Sequence, residues 1–386
     1  MSNMPKLRFK EFNDEWELKK LELLCSKISD GIHSTPVYDE NGEYYFINGN
    51  NLKKGVIILD EKTKRVSKEE YQKHFRELNN TTILMSINGT IGNIAFYNNE
   101  KAMLGKSACY ININDNKTNK YFISNQVSST KIQYYYISEL TGSTIKNLSL
   151  KTIKNTPINL PSKQEQEKIA SFLTSVDTKI EQLTKKEKLL QQYKKGVMQK
   201  IFNQEIRFQA DDGSEFCDWE EKRLKEVLDY EQPTKYIVES TEYNGNYNTP
   251  VLTAGKTFIL GYTNEENGIY TNSPVIIFDD FTTANHYVDF DFKVKSSAMK
   301  LLKEKNENIC LKFVYEFIQK LHFPIGEHKR YWISEYSYLK IKLPCLEEQI
   351  KIANFLSSID TKIEQTQKQL EQTKEFKKAL LQQMFV

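Results

Sequence analysis

LPSKQEQEKIASFLTSVDTKIEQ, residues Leu160–Gln182, returns as LPCLEEQIKIANFLSSIDTKIEQ, residues Leu343–Gln365. The two stretches agree at 16 of 23 positions at a constant offset of 183. A period this long is no solenoid repeat; it means two half-molecules in one chain. Each copy follows an aromatic-rich region with β patterning and runs into a long Lys/Glu/Gln-rich helical pattern. A weaker echo extends the duplication to the whole unit. Arg8-Phe9, Trp16 and Lys19-Lys20-Leu21 resemble Arg207-Phe208, Trp219 and Lys222-Arg223-Leu224.

Both helical patterns carry a heptad seam. In the first, Ile169, Val176, Leu183, Leu190 and Val197 recur every seven residues, with Leu173, Ile180 and Ile201 four residues on. In the second, Ile352, Ile359 and Leu380 match one stripe; Leu356, Ile363, Leu370 and Met384 match the other. Thr366 and Thr373 weaken the second seam, which favours pairing with the other copy over a homodimeric zipper. About 40 residues at ~1.5 Å each make a helix of about 60 Å. The two copies lie antiparallel if the domains they follow sit at opposite ends. The expected fold is therefore α+β and pseudo-twofold. Two β-rich domains, 1–160 and 205–343, are separated and followed by coiled-coil helices, 161–204 and 344–386. Expected strands include Tyr44–Ile47, Thr82–Ile87, Ala108–Ile113, Val251–Thr253, Val275–Asp279 and Tyr287–Val294. Such symmetry suits a ligand that is itself nearly twofold, and duplex DNA is the commonest of that kind.

Composition narrows the classes. A hydrophobic fraction of 39% and an aromatic fraction of 12% belong to a folded chain. With 54 basic and 51 acidic residues the net charge is +3, so nucleic-acid contact must come from local basic faces. Cys25, Cys109, Cys217, Cys310 and Cys345 form no CxxC pair, which points to a reducing compartment and away from structural zinc. No apolar run approaches the ~20 residues of a membrane span, so a soluble cytoplasmic protein is expected.

The search for catalytic chemistry returns little. TPVLTAGKT, Thr249–Thr257, ends like a phosphate loop but has Pro250 at the first glycine; it reads as a turn between strands. Asp279, Asp280, Asp291 and Lys293 imitate a metal-dependent nuclease, in which two acids hold Mg²⁺ and a lysine assists the water. Against this, Asp-x-Lys arises by chance in a Lys-rich chain, and Asp289 and Asp291 alternate with Phe290 and Phe292 as in an ordinary half-exposed strand, which is the favoured reading. His33, His74, His286, His322 and His328 have no metal-ligand spacing. What remains is polar, aromatic and basic residues on glycine-rich loops, suited to phosphates and base edges. The candidates in the first domain are His33, Ser34, Thr35, Asn88, Lys106, Ser107, Thr144 and Lys146. Those in the second are Thr253, Lys256, Tyr262, Thr282, Thr283, His286, Lys329, Arg330 and Tyr331.

On these residues the whole chain resembles the DNA-specificity subunit of a type I restriction–modification enzyme. The twin motifs at Leu160–Gln182 and Leu343–Gln365 carry the resemblance, with the Arg-Phe…Trp openings. Asp30–Pro36, the 142–146 stretch, Gly261–Asn264 and Phe278–Thr283 are similar to that family's recognition stretches. The resemblance implies a non-catalytic subunit with two target-recognition domains, each reading half of a split, asymmetric site. The coiled coil would set the spacing and dock two methylation subunits, with restriction subunits joining a larger complex. S-adenosylmethionine, ATP and Mg²⁺ would sit on those partners. A stand-alone metal-dependent nuclease and a coiled-coil scaffold without a DNA role are the competing readings.

Overall fold

The structure, a computed structural model, describes residues 4–53, 55–142, 144, 146–255, 257–321, 323–324 and 329–385. The chain forms two compact units, residues 1–184 with 368–386, and residues 185–367. The sequence boundaries set the long helices apart as segments; in the structure each helix is shared between units, because its two halves bury their stripes in different cores.

In the first unit the chain enters and leaves through one ribbon, Glu17–Lys20 antiparallel to Pro157–Leu160. Four antiparallel strands follow in the order Cys25–Asp30, Ala108–Ile113, Thr82–Ser86, Ile94–Phe96. Ala108–Ile113 is buried at every position. Its alternate side chains feed two cores: Cys109, Ile111 and Ile113 face one, Ala108 and Tyr110 the other. That is why the strand is apolar on both faces rather than alternating, apart from Asn112, whose buried amide accepts from Thr82 Oγ1 and donates to Glu77 O. A second sheet orders Arg65–Val66, Tyr44–Ile47 and Ala102–Leu104, the last two parallel. The helices Lys120–Val127 and Thr130–Ser138 cover the first core. Asn119 caps the former by accepting from Tyr121 N and Phe122 N.

The second unit repeats this plan. Glu220–Arg223 pairs antiparallel with Lys340–Leu343. The four-stranded sheet runs Leu228–Glu231, Met299–Glu304, Val275–Asp279, Asn285–Val288. A smaller sheet orders Ile259–Thr263, Thr249–Leu252 and Lys293–Val294, again with one parallel pair. The expected single strand Tyr287–Val294 is therefore two. Asn285–Val288 pairs with Val275–Asp279. Lys293–Val294 joins the other sheet, because the chain turns where Phe292 bridges to Tyr270 and buries its ring.

The two long helices are Lys163–Phe202 and Leu346–Gln383. In the first unit, Ile169, Ala170, Leu173 and Val176 pack in one core with Leu380, Met384 and Phe385. In the second, Val197, Ile201 and Phe202 share a core with Ile352, Leu356, Ile359 and Ile363. Each unit thus sets the opening of one helix against the end of the other, so the pairing is antiparallel. Leu183 and Leu370 are buried; Ile180 and Leu190 are half-buried. Thr366 is also buried, and its hydroxyl donates to Lys362 O at 2.7 Å, so the polar seam position carries no open hydrogen bond.

The Glu-Gln pair common to both motif copies fixes each helix to its unit. Glu165 accepts from Arg8 Nε at 2.7 Å and Nη2 at 2.8 Å. Gln166 accepts from Thr118 Oγ1 and Asn119 N and donates to Pro161 O. Glu348 accepts from Arg207 Nε at 3.2 Å and Nη2 at 2.8 Å. Gln349 accepts from Cys310 N and donates to Asn308 O and Pro344 O. The echo of Arg8 in Arg207 is thus a repeated bidentate anchor.

Candidate nucleic-acid interface

In the first unit, hydrogen bonds draw the scattered polar stretches to one edge. Ile32 N donates to Leu104 O at 2.9 Å, and Gly105 N donates to Ile47 O at 2.8 Å. Gly31 is required at this crossing: a Cβ there would lie 2.0 Å from Leu104 O. Ile87 N donates to Ser107 O at 3.0 Å, Leu148 N to Ile87 O at 2.9 Å and Gly89 N to Lys146 O at 3.1 Å. His33–Thr35, Asn88, Lys106–Ser107 and Lys146 therefore stand together although up to 113 positions separate them. His33, Ser34, Thr35, Lys106, Thr144 and Lys146 are exposed. His33 Nε2 lies 2.9 Å from Asp30 Oδ2. Ser107 is engaged in bracing: its Oγ accepts from Gly49 N and donates to Asn48 Oδ1, both at 2.9 Å. Asn88 Oδ1 is buried with no donor among the described residues.

The second unit builds the matching edge with the same bonds. Val238 N donates to Val294 O, Lys295 N to Leu252 O, Asp280 N to Ala298 O and Tyr331 N to Asp280 O, all at 2.8–3.0 Å. Thr253 closes the 253–258 hairpin, its Oγ1 donating to Thr257 O and accepting from Gly255 N. Phe258 of that hairpin stacks on His286 with ring centroids 4.3 Å apart. Burial holds the His286 imidazole below its ordinary pKa, against the opposing pull of backbone contacts at Gly255 and Ala254. Asp279 Oδ1 accepts from Phe281 N and Thr282 N, and Thr283 takes a positive φ of 56°, which fixes the 280–284 turn. Thr282, Lys329 and Arg330 are exposed, and Lys329 forms an ion pair with Glu335. Tyr262 is half-buried on Ile259–Thr263. Lys256 lies outside the described residues, as do positions 143, 145 and 328 of the candidate stretches.

Tyr331 corrects the sequence reading. It is 1% exposed and packs edge-on against Phe323. Its backbone stands where Leu148 stands in the first unit, 183 positions earlier, donating to the equivalent carbonyl. A ring committed to the core cannot reach a groove.

The nuclease constellation is not assembled. Asp280 is buried, with Oδ1 accepting from Trp332 N and Oδ2 3.5 Å from Lys300 Nζ. Asp279 is engaged in its turn. Lys293 pairs with Glu265 at 2.7 Å and donates to Asn267 O, while Asp291 is exposed. Among the described residues, no group of three or more His, Cys, Asp or Glu side chains could hold a metal ion.

Sequence reasoning missed a basic aromatic surface in the first unit. Lys64 Nζ lies 4.1 Å above the Tyr38 ring, and Arg65 lies 4.6 Å above Tyr45 while donating to its Oη at 2.9 Å. Such pairs suit stacking and phosphate contact. No local signal marks them, since each tyrosine and its cation lie 20 or more residues apart in the chain.

Two tandem units, each presenting one polar loop edge and anchored to antiparallel helices, define a duplicated recognition architecture. A family model for the type I restriction modification DNA specificity domain matches residues 13–191 and 217–375. The specificity subunit of the type I restriction enzyme EcoR124I/EcoR124II of Escherichia coli is 55% identical over 141 residues, about a third of its length (35% of either chain). A putative type I restriction enzyme MjaX specificity subunit of Methanocaldococcus jannaschii is 26% identical over 413 residues, covering 98% of this chain and 95% of that one. The crystal structure of the S subunit of a type I restriction–modification system from M. genitalium shares the fold, with a TM-score of 0.69, 19% identity and 99% of both chains covered. The chain belongs to the type I restriction–modification DNA-specificity family and carries two tandem copies of its domain.

Proposed function

We propose that this chain is the DNA-reading subunit of a type I restriction–modification complex. Each unit reads one half of a split, asymmetric site. The observation that carries the reading is the duplicated loop edge: different side chains on the same hydrogen-bonded frame. An identical frame sets equivalent loops against duplex DNA, and different side chains give different half-sites. The subunit itself performs no catalysis. Asp279, Asp280 and Lys293 hold the fold together, which leaves the nuclease reading without its residues.

The relatives are specificity subunits of restriction enzymes, and on that basis the partners are two methylation subunits, with restriction subunits in a larger assembly. S-adenosylmethionine, ATP and Mg²⁺ belong to those partners. The complex works in the cytoplasm; among the described residues no helix is long and apolar enough to cross a membrane. The antiparallel helices set the gap between half-sites and dock the methylation subunits, turning two weak readers into one tight one.

The test is methylome sequencing of a host without other methylases, carrying this chain with its methylation subunit. The expected result is a split asymmetric methylated motif, of which replacement of residues 1–160 alters one half only. A stable complex with no methylation and no salt-dependent DNA affinity would transfer the assignment to the scaffold reading.

A further inference from the structure

The two loop edges can be aligned bond by bond. Ile32→Leu104 corresponds to Val238→Val294, Gly105→Ile47 to Lys295→Leu252, and Ile87→Ser107 to Asp280→Ala298, each from backbone N to backbone O. The strand pairings agree: Ile47 lies opposite Leu104 in one parallel pair and Leu252 opposite Val294 in the other. Cys109 sits opposite Met85, while Lys300 sits opposite Phe278, so the frame is conserved through the central strands as well.

This alignment marks a loop that the sequence did not. Between Leu104 and Ser107 the first unit carries Gly105-Lys106, with Lys106 exposed. Between Val294 and Ala298 the second unit carries Lys295-Ser296-Ser297, with both serines exposed. Lys295 is half-buried, its Nζ 5.8 Å from the Tyr243 ring, so the charge leaves the tip and two hydroxyls replace it. The loop is braced at both ends, by Lys295 N on Leu252 O and by Asp280 N on Ala298 O, so its tip has a fixed position beside Thr253 and the 280–284 turn.

Building on the proposed DNA-reading function, we infer that Ser296 and Ser297 are specificity-determining residues of the second unit, contacting the half-site read by Thr253, Thr282 and Arg330. Ser297 can donate and accept, while Ser296, whose Oγ already accepts from Ala298 N at 3.4 Å, keeps its O–H to donate; the pair therefore reads base edges or phosphates without a net charge. The exchange of Lys106 for two serines is one physical source of difference between the half-sites.

The experiment uses the full chain in complex with its methylation subunits, on duplexes carrying the motif found by methylome sequencing and on scrambled duplexes. Ser296→Asp/Ser297→Asp places two anionic groups against DNA and should weaken motif binding at least tenfold with the melting temperature unchanged. Ser296→Ala/Ser297→Ala, which cannot perturb folding by charge, should relax the methylated motif in one half only. Lys106→Ala should relax the other half. If the parent complex binds its motif while both serine variants keep its affinity and motif, the inference is overturned and the DNA-reading function stands. If the parent complex does not discriminate motif from scrambled duplex, both fall.

Discussion

Lys194 Nζ lies 2.7 Å from Asp360 Oδ1, joining the end of the first long helix to the opening of the second. Shifting both partners by the repeat offset of 183 gives Lys377 and Asp177, and these form the equivalent pair at 2.5 Å in the first unit. The shift carries a Lys–Asp contact into a Lys–Asp contact, so the duplication is built into the antiparallel register. The two pairs differ in one respect. Lys194 also lies 2.9 Å from Glu316, which is fully buried. Six residues past the helix cap, the first unit has Asn125 instead, which donates to its own helix at Tyr121 O.

That difference predicts unequal costs for one substitution. Lys194→Ala leaves Glu316, among the described residues, with Lys312 at 3.6 Å as its one cation, and should cost about 3–5 kcal/mol, as expected when one partner of a buried pair is removed. Lys377→Ala removes a more exposed pair and should cost about 0.2–1 kcal/mol. Urea denaturation of the two variants decides; equal midpoints would show that Glu316 is not held by Lys194.

The paired tryptophans offer a second contrast. Trp219 Nε1 donates to Glu348 Oε2 at 3.0 Å, whereas Trp16 Nε1 has no acceptor among the described residues. Trp16 is 2% exposed whereas Trp219 is half-buried, so the two Phe variants lose different amounts of packing, and only the Trp219 variant loses a hydrogen bond. That bond should account for about 1.5–3 kcal/mol of the cost of Trp219→Phe, the usual contribution of a bond to a charged group. Thermal unfolding with matched controls measures it.

Asp280 and Lys300 form a pair in which each side chain is at most 2% exposed. Asp280→Ala strands the ammonium and frees Trp332 N; the expected loss is about 3–5 kcal/mol. Asp280→Leu with Lys300→Met should recover most of it, because removing both charges ends the desolvation cost. A double variant no more stable than the single would mean the pair holds the 280–284 turn by geometry rather than by charge balance.

His286 gives a pH dependence with a definite sign. Its folded pKa lies below the ordinary value of 6.5, chiefly through burial. The unfolded chain therefore binds the proton more readily, and stability rises with pH across that window. The contribution is fully present above about 6.5 and is lost as pH falls toward the lower folded value. His286→Phe should flatten the stability profile between pH 7 and 5, measured by denaturant midpoints. An unchanged slope would place the proton uptake elsewhere.

Part of the candidate edge, whose contact with DNA is a proposal, is legible in the sequence. His33, Asn88, Lys106 and Lys146 were picked out by glycine-punctuated polarity, and the fold sets them on one edge. Tyr331 was misread because the polar run Lys329-Arg330 precedes it; only the backbone bond to Asp280 reveals that the next side chain turns inward. Ser296 and Ser297, assigned by inference, carry no such signal, because their loop contains no glycine or proline to mark a turn. Lys64 and Arg65 were invisible because their aromatic partners belong to other strands or loops.

By itself the sequence determined the duplication, the two long helices, their seams and the α+β character of what lies between. Those follow from short-range physics: identity at a fixed offset, heptad spacing and apolar alternation are legible one segment at a time. The tertiary structure alone decided which loops share an edge, which carboxylates serve the fold, and that each core takes the opening of one helix and the end of the other. Those depend on contacts between residues more than a hundred positions apart, such as Arg8 with Glu165 and Arg207 with Glu348. A side chain's neighbours are set by sheet order and register, and no local pattern encodes them.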